Sequence, residues 1–222
     1  MRLRNRPWAA SELNECPYYI RSGEAFRGRW KERFGNDHPI HLELGCGKGM
    51  YLRGAAVHYP EVNFIGADIK SLMLAYARRN IQLAFDENGL ENSNVLLLSV
   101  DAERILNAFS AEDEIHKLII NFSNPWPKPK HHKKRLTHPR QLENYKQFLM
   151  NGAVVEFKTD NDEYYSDSLG YFETCGYSVV ESSFDYYQHR PIDETILTEH
   201  ESKFISLGLP IHHIKAVFNK LG

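Results

Sequence analysis

Short apolar runs alternate with longer amphipathic stretches along most of the chain. The apolar runs have the length and composition of buried strands, and they cover residues 40–44, 63–68, 95–100, 116–120, 153–157, 177–180 and 214–218. Apolar positions recur at helical spacing in residues 48–57, 71–85 and 139–149. Strands that alternate with helices predict an α/β fold, in which helices cover both faces of a mostly parallel central sheet.

The first 36 residues do not follow this pattern. They are basic, contain Trp and Tyr side chains, and lack a clean apolar period. We therefore predict an N-terminal arm with one short helix over residues 1–36, followed by a single domain over residues 37–222. Arg2, Arg4 and Arg6 are candidates for phosphate contacts, although terminal arginines are often merely solvated.

Composition supports one folded domain. The chain has 222 residues, of which 42% are hydrophobic and 25% charged, as in an ordinary soluble globule with an ample core. No run reaches the roughly 20 apolar residues of a membrane span, and the first residues lack the apolar stretch of a secretory signal. Cys16, Cys46 and Cys175 form no CxxC motif, which indicates reduced thiols and a cytoplasmic protein.

A proline-rich loop with a tryptophan and a basic run follows the fourth predicted strand. Pro125, Pro127 and Pro129 stiffen this loop, and Trp126 offers a flat aromatic face. Five Lys or Arg residues lie within 128–135, although the formal net charge of the chain is −2. A planar side chain beside local positive charge suits a site for a nucleic-acid base and its phosphates. The alternative is a solvated basic loop with a structural tryptophan.

A glycine-rich turn follows the first predicted strand. Gly45, Gly47 and Gly49 stand at every second position, so the backbone can turn sharply and approach a ligand closely. The dinucleotide fingerprint GxGxxG is not met, because Met50 stands where its last glycine is needed, and Glu43 would repel a phosphate. The turn therefore favours a cofactor that carries a nucleoside but no phosphates.

Aspartates follow the next two predicted strands. A carboxylate at Asp68 can accept both hydroxyls of a ribose, and one at Asp101 can accept a hydrogen bond from an adenine amino group. Each residue could instead be a helix-capping Asp. Because ligands of such sheets bind outside the carboxyl ends of the strands, we expect the aspartates, the glycine turn and the proline loop to form one site.

Four segments together resemble the bacterial tRNA (guanine-N7-)-methyltransferase family. They are Glu-Leu-Gly-Cys-Gly-Lys-Gly at 43–49, Asn-Phe-Ser-Asn-Pro-Trp-Pro-Lys at 121–128, Phe-Lys-Thr-Asp-Asn at 157–161 and Thr-Glu-His-Glu-Ser-Lys-Phe at 198–204. The resemblance implies a Rossmann-like methyltransferase fold with an antiparallel last strand. It also implies methyl transfer from S-adenosylmethionine to N7 of a guanosine in the tRNA variable loop.

The resemblance further implies roles for individual residues. Those expected to hold the cofactor are Glu43, Gly45, Gly47, Gly49, Asp68, Asp101 and Asn124. Those expected to bind the substrate nucleotide are Lys128, Asp160, Thr198, Glu199, His200 and Glu201. The basic residues expected to contact RNA are Lys130, Lys133, Lys134 and Arg135. For residues 198–201, a helix N-terminus is the alternative explanation.

Asn124 departs from the family pattern. Family members usually have Asp at this position, and that Asp is commonly regarded as catalytic. N7 of guanine has an in-plane lone pair and no proton, so its attack on the methyl group needs no general base. The site mainly has to align the reacting atoms and favour the positive charge that develops on the purine. Asn124 lacks a negative charge, which Asp160 could supply. We take both as catalytic candidates and predict retained but slower catalysis.

Two other function classes stay open: a methyltransferase for a different substrate, and a tRNA-binding protein with a weakened site. A dehydrogenase is disfavoured by the missing GxGxxG. The histidine pairs at 131–132 and 212–213 could suggest a metal, but adjacent strand residues point to opposite faces and no Cys or Asp completes a site. We expect no metal, no membrane, tRNA as partner, and a monomer or weak homodimer.

Overall fold

An eight-stranded sheet lies at the centre of the computed structural model, which describes residues 6–220. The strands are β1 (Tyr19–Ile20), β2 (Ile40–Leu44), β3 (Asn63–Asp68), β4 (Val95–Ser99), β5 (Ile115–Asn121), β6 (Leu149–Thr159), β7 (Ser178–Ser183) and β8 (His212–Phe218). Their order is β1-β4-β3-β2-β5-β6-β8-β7. All pairs from β1 to β6 are parallel, whereas β8 is antiparallel to β6 and β7. The predicted α/β fold with an antiparallel last strand is confirmed.

Helices pack around the sheet in two groups. Within the described range they are α1 (Pro7–Glu15), α2 (Trp30–Phe34), α3 (Met50–His58), α4 (Ser71–Glu87), α5 (Pro139–Tyr145), α6 (Asp162–Thr174) and α7 (Glu199–Ser206). Helix α4 packs against α1 and α3, while α6 packs against α5, β7 and β8. Across residues 6–220, no helix is both long and apolar enough to cross a membrane.

The N-terminal region is more structured than predicted. Two helices and strand β1 occupy residues 7–34, where we predicted one short helix. Trp30 is fully buried, and its Nε1 donates a hydrogen bond to the carbonyl oxygen of Ala108 at 2.9 Å. Buried residues such as Trp30 are widely spaced in this region, so the sequence shows no regular apolar period here. Arg6 is exposed, whereas Arg2 and Arg4 lie outside the described residues.

Several element bounds differ from the sequence prediction, most of all where α5 is followed by β6. Helix α5 ends at Tyr145, and β6 already begins at Leu149, so the predicted helix was too long and the predicted strand too short. Helix α6 was not predicted at all. Its buried positions Tyr164, Ser168 and Phe172 recur every four residues, but one of the three is polar and apolar residues such as Leu169 also lie between them, so no clear apolar period results.

The connection between β7 and β8 is unusually long. Antiparallel neighbours can be joined by a two-residue turn, yet here residues 184–211 intervene. They include a 3-10 turn, Glu194–Ile196, and helix α7. The 3-10 turn packs on α3, the helix that follows β2 in the chain. The connection therefore reaches back to the middle of the sheet.

The strand order reverses between β2 and β5. Parallel neighbours β3 and β5 flank β2, with Glu43 in register with Gly66 on one side and Ile119 on the other. Ligands of open α/β sheets bind in the crevice at such a switch point, outside the carboxyl ends of the strands. The fold thus predicts a site beyond Leu44 and Asn121.

Candidate active site

Two adjoining cavities occupy the predicted crevice. The larger has a volume of about 660 Å³ and is lined by the ends of β2, β3 and β4 and by the loop after β5. The smaller, of about 150 Å³, lies between the glycine turn, the end of β5 and the start of α7. Gly45 and Phe122 line both cavities. Molecules bound in the two spaces would therefore lie close to each other.

The glycine turn shapes the shared wall. Gly45 and Gly47 have φ of 77° and 54°, left-handed conformations that favour glycine. A Cβ on either residue would meet no atom closer than 3.8 Å, so that volume stays open to a ligand. Gly49, at φ 67°, has a different task, because a Cβ there would lie 2.8 Å from that of Ala77. It lines neither cavity and allows α3 to pack closely on α4.

Asp68 ends β3 and lines the larger cavity. Its Oδ2 accepts a hydrogen bond from the amide of Gly47 at 3.1 Å, and its Oδ1 accepts one from Lys70 at 2.8 Å. Burial raises the pKa of this carboxyl above its ordinary value, although the backbone amides oppose the shift. The carboxylate is therefore fixed in orientation and joins the glycine turn to β3.

Asp101 combines both interpretations of its role. Its Oδ1 accepts a hydrogen bond from the amide of Glu103 at 3.0 Å, which caps the 3-10 turn Ala102–Asn107. The same residue lines the larger cavity. A capping bond to one carboxylate oxygen leaves the other free to bind a ligand, so the two roles are compatible.

Glu43 lines the smaller cavity and is buried, with 3% of its surface exposed. Its Oε1 accepts a hydrogen bond from Nδ2 of Asn121 at 3.0 Å, whereas Oε2 has no partner among the described residues. Burial raises the pKa of Glu43 to about 8, despite the opposing effect of Asn121. An unpaired, buried carboxyl oxygen is costly, and a hydrogen-bond donor on a ligand would relieve that cost.

The loop after β5 is strained and internally braced. Phe122 and Trp126 have φ of 47° and 46°, which is uncommon for residues with a Cβ. Oδ1 of Asn124 accepts a hydrogen bond from the amide of Trp126 at 3.0 Å. Asn124 and Trp126 both line the larger cavity. Since an aspartate could accept the same bond, Asn124 preserves the shape of the loop without its charge.

The basic run divides into exposed and buried residues. Lys128, Lys130 and Lys133 are exposed. Lys134 is also exposed, and it lines the larger cavity with its Nζ 4.9 Å from the ring centre of Trp126. Three cations are thus free to meet solvent, and a fourth lies at the cavity.

Arg135 corrects the predicted RNA-contacting set. Its side chain is fully buried, where it binds Asp167 and donates to the carbonyl oxygen of Pro125 at 2.6 Å. It also contacts a cluster of three side chains that could otherwise hold a metal ion, His132, Glu163 and Asp167. The ring nitrogen and carboxylate oxygens of this cluster all lie within 4.8 Å of one another. The guanidinium already neutralises that cluster. Arg135 therefore anchors the loop to α6 and cannot present its charge to RNA.

Helix α7 forms the other wall of the smaller cavity. Thr198, Glu199 and His200 line it, and both carboxylate oxygens of Glu199 accept hydrogen bonds from Nζ of Lys48, at 2.9 and 3.0 Å. The ring of His200 stacks on Phe122, with 4.9 Å between ring centres. The start of α7 therefore contacts both the glycine turn and the strained loop.

Glu201 lies in the first turn of α7, in agreement with the helix N-terminus that we gave as the alternative explanation for residues 198–201. It is 1% exposed and forms a capping box with Thr198. Its Oε1 accepts a hydrogen bond from Nζ of Lys158 at 2.6 Å. Burial raises its pKa, but the charge of Lys158 and the hydrogen bonds from Lys158, Thr198 and Tyr187 together lower the pKa below the ordinary value. Glu201 therefore orients the start of α7 from behind.

Lys128 and Asp160 line neither cavity. Asp160 follows β6, and its Oδ2 lies 4.0 Å from Nε2 of His200, so it borders the smaller cavity through that side chain. Our sequence reasoning missed Asn121 and Phe122 as site residues, although both lie in the quoted 121–128 segment. No local pattern signals that one holds Glu43 and the other separates the two cavities.

Known methyltransferases match most of the chain in sequence. A family model described as putative methyltransferase matches residues 37–214. A tRNA (guanine-N(7)-)-methyltransferase of Clostridium beijerinckii is 42% identical over 217 residues, which is 98% of this chain and 99% of the relative. One of the same name from Ruminiclostridium cellulolyticum is 43% identical over 99% of this chain and 93% of its own length.

Solved structures resemble the chain in fold. A 16S rRNA methyltransferase, KamB, superposes with a TM-score of 0.63 at 13% identity, covering 86% of this chain and 93% of its own. A 16S rRNA (adenine(1408)-N(1))-methyltransferase from Catenulisporales acidiphilia, with cosubstrate SAM, has a TM-score of 0.61 at 15% identity and covers 86% and 90%. At this identity the likeness concerns the fold alone.

Proposed function

The chain belongs to the tRNA (guanine-N(7)-)-methyltransferase family, and from this premise we propose that it transfers a methyl group from S-adenosylmethionine to N7 of a guanosine in the variable loop of tRNA. The observation that carries the proposal is the pair of adjoining cavities that share Gly45 and Phe122. One has the features of a nucleoside site, and the other is closed by residues that the family resemblance assigns to the substrate nucleotide.

The residues of the larger cavity, together with Glu43 and Gly47 of the adjoining smaller cavity, fit S-adenosylmethionine. Gly45 and Gly47 leave a space that a Cβ would narrow, and the buried Oε2 of Glu43 awaits a hydrogen-bond donor. Asp68 would bind the ribose hydroxyls, and Asp101 would accept from the adenine amino group. These side chains can bind the polar groups of a nucleoside that carries no phosphate. This agrees with the absence of the dinucleotide fingerprint GxGxxG from the glycine turn.

Positioning and electrostatics account for the proposed catalysis. When bound, S-adenosylmethionine supplies a methyl group on a positively charged sulfur. The protein has to hold guanine N7 in line with that group, and such alignment can lower the barrier by several kcal/mol. Phe122 and His200 would place the base, while the carboxylate of Asp160 would favour the positive charge that develops on it.

Asn124 would contribute to loop shape and hydrogen bonding. Its side-chain oxygen holds the amide of Trp126 at the wall of the larger cavity, which keeps the loop in place. Since N7 carries no proton, the reaction requires no carboxylate base at this position. We therefore assign a supporting role to Asn124 and an electrostatic role to Asp160.

The RNA would approach across the exposed basic residues. Lys128, Lys130 and Lys133 are exposed and lie in one turn beside the larger cavity, whose wall includes Lys134. Their charges suit phosphate contacts, which give binding a steep dependence on salt. We propose that the arginines within residues 1–36, the predicted N-terminal arm, add positive charge for phosphate contacts. The three free, buried cysteines agree with a reducing, cytoplasmic setting. We also propose that the protein acts as a monomer or weak homodimer.

The test is methyl transfer from labelled S-adenosylmethionine to unmodified tRNA, with identification of the product nucleoside. We expect 7-methylguanosine, and no product from a matched tRNA whose target guanosine is replaced by adenosine. Binding of both tRNA and cofactor without transfer would favour a tRNA-binding protein with a weakened site. Transfer to a protein or small molecule but not to tRNA would favour a methyltransferase for a different substrate. The curated relatives support neither alternative.

A further inference from the structure

Gly54 lies in the middle of α3, and the backbone of the 3-10 turn at residues 194–196 crosses directly over it. A Cβ on Gly54 would lie 1.7 Å from the carbonyl oxygen of Thr195 and 3.1 Å from Cα of Ile196. No other residue type fits while this contact persists. Glycine is less favourable than alanine inside a helix, so the close approach, and not helix stability, accounts for Gly54.

The chain continues from this contact straight to the smaller cavity. Thr198 follows Thr195 by three residues and caps α7. Its neighbours Glu199 and His200 line the cavity and contact Lys48 and Phe122. A shift of the chain at Thr195 would therefore move the first turn of α7 relative to the cavity.

A second anchor holds the same turn from the opposite side. Oε1 of Glu201 accepts hydrogen bonds from Nζ of Lys158 at 2.6 Å and from the hydroxyl of Tyr187 at 2.7 Å. Lys158 lies on β6, and Tyr187 lies in the connection that follows β7. Neither side chain lines a cavity. The first turn of α7 is thus fixed at α3 and at β6, at two points outside the site itself.

We propose that Gly54 and Tyr187 are positioning residues for the target nucleotide. Gly54 permits the turn at 194–196 to dock on α3, and Tyr187 holds Glu201 so that α7 keeps its angle. Together they fix the first turn of α7, and with it Glu199 and His200, at the wall of the smaller cavity. This inference rests on the proposed function, since it assigns the bound nucleotide to that cavity.

The first experiment compares Gly54→Ala with Gly170→Ala. Gly170 lies in α6, and a Cβ there meets no atom within 4 Å, so it controls for the general effect of alanine in a helix. The methyl group at position 54 would push the turn away by about 1.5 Å. Because a misplacement of about 1 Å can cost 10²-fold, we expect kcat/KM for tRNA to fall about 10- to 100-fold, with cofactor Kd unchanged. Gly170→Ala should match the wild type.

The second experiment uses Tyr187→Phe, which keeps the ring and removes the hydroxyl. We expect KM for tRNA to rise about three- to tenfold, again with cofactor Kd unchanged. If Gly54→Ala does not fold, the KM of Tyr187→Phe alone tests the positioning role. Wild-type KM in Tyr187→Phe, wild-type kcat/KM in Gly54→Ala, or an equal loss of cofactor affinity would overturn the proposal.

Hydrogen exchange separates this inference from the proposed function. Amides of residues 198–206 should exchange faster in Gly54→Ala than in the wild type, and at the wild-type rate in Gly170→Ala. Unchanged exchange in Gly54→Ala would refute the docking contact whatever the enzyme methylates. Absence of 7-methylguanosine from wild-type assays would refute the proposed function and leave the exchange result intact.

Discussion

Replacing Glu43 by Gln should stabilise the protein at neutral and alkaline pH and weaken its affinity for the cofactor. In the wild type, burial raises the pKa of Glu43 to about 8 from an ordinary value of 4.5. Between these values the unfolded state is ionised while the native state keeps its proton. The native state thus binds more protons, and stability falls as pH rises. Below pH 4.5 both states are protonated and the effect disappears.

The size of the effect follows from the pKa difference. Each pKa unit corresponds to about 1.4 kcal/mol, so the destabilisation grows across the window to about 3–5 kcal/mol above pH 8. The amide of Glu43→Gln cannot ionise, and its oxygen can still accept the bond from Asn121. The two proteins should therefore have similar free energies of unfolding near pH 4.5 and diverge steadily above it.

Urea denaturation at pH 5, 6, 7 and 8 measures this divergence. Glu91→Gln, which alters an exposed carboxyl, is the matched control and should follow the wild type at every pH. Calorimetry of cofactor binding supplies the second readout. A donor on the bound ligand favours the ionised form of Glu43, and the amide of Glu43→Gln cannot form that charge-assisted hydrogen bond, so this variant should bind S-adenosylmethionine about tenfold more weakly. Parallel stability curves for wild type and Glu43→Gln would refute the reasoning, as would unaltered cofactor affinity.

Three further predictions concern the loop after β5. Asn124→Asp should raise kcat about three- to tenfold by adding negative charge near the reacting atoms; no gain in single-turnover assays at unaltered cofactor Kd counts against an electrostatic role. Arg135→Gln should lower the free energy of unfolding by about 2–3 kcal/mol, less than for a fully buried pair, since Asp167 is 37% exposed; a urea-measured loss below 1 kcal/mol with weaker tRNA binding would contradict the anchoring role. Lys130→Ala combined with Lys133→Ala should reduce the salt slope of tRNA binding by about 1–2 without changing stability, and an unchanged slope would place the RNA elsewhere.

The sheet could be predicted from the sequence because its signal is local. Strands β2 and β3 agree with the apolar runs 40–44 and 63–68 residue for residue. Each run lies between two neighbouring strands, and the apolar residues within it are buried: Ile40, Leu42 and Leu44 in β2, and Phe64, Ile65 and Ala67 in β3. The two-residue strand β1 gives no such signal, since its place in the sheet depends on pairing with β4 far along the chain.

The site was predictable to the extent that it follows strand ends. Asp68, Asp101 and the glycine turn meet at one edge because parallel strands bring their carboxyl ends together. Arg135 shows where this reasoning fails. In sequence it continues a basic run, but its partner Asp167 is 32 residues further along, and only the packing of α6 makes it a buried anchor. The contact between Gly54 and Thr195 likewise joins distant segments and leaves no local pattern.

The long connection between β7 and β8 has a consequence for how this fold can be altered. Its two ends lie side by side, since Ser183 and His213 are paired in adjacent strands. Each doubling of a loop's length costs only about 0.6 kcal/mol in closure entropy, so length alone does not prevent the exchange of residues 184–211 as one cassette, provided that the new segment keeps a partner for Lys158. Because this cassette carries one wall of the smaller cavity, grafting a different one offers a direct route to change the base that is recognised, with the other wall and the larger cavity left unchanged.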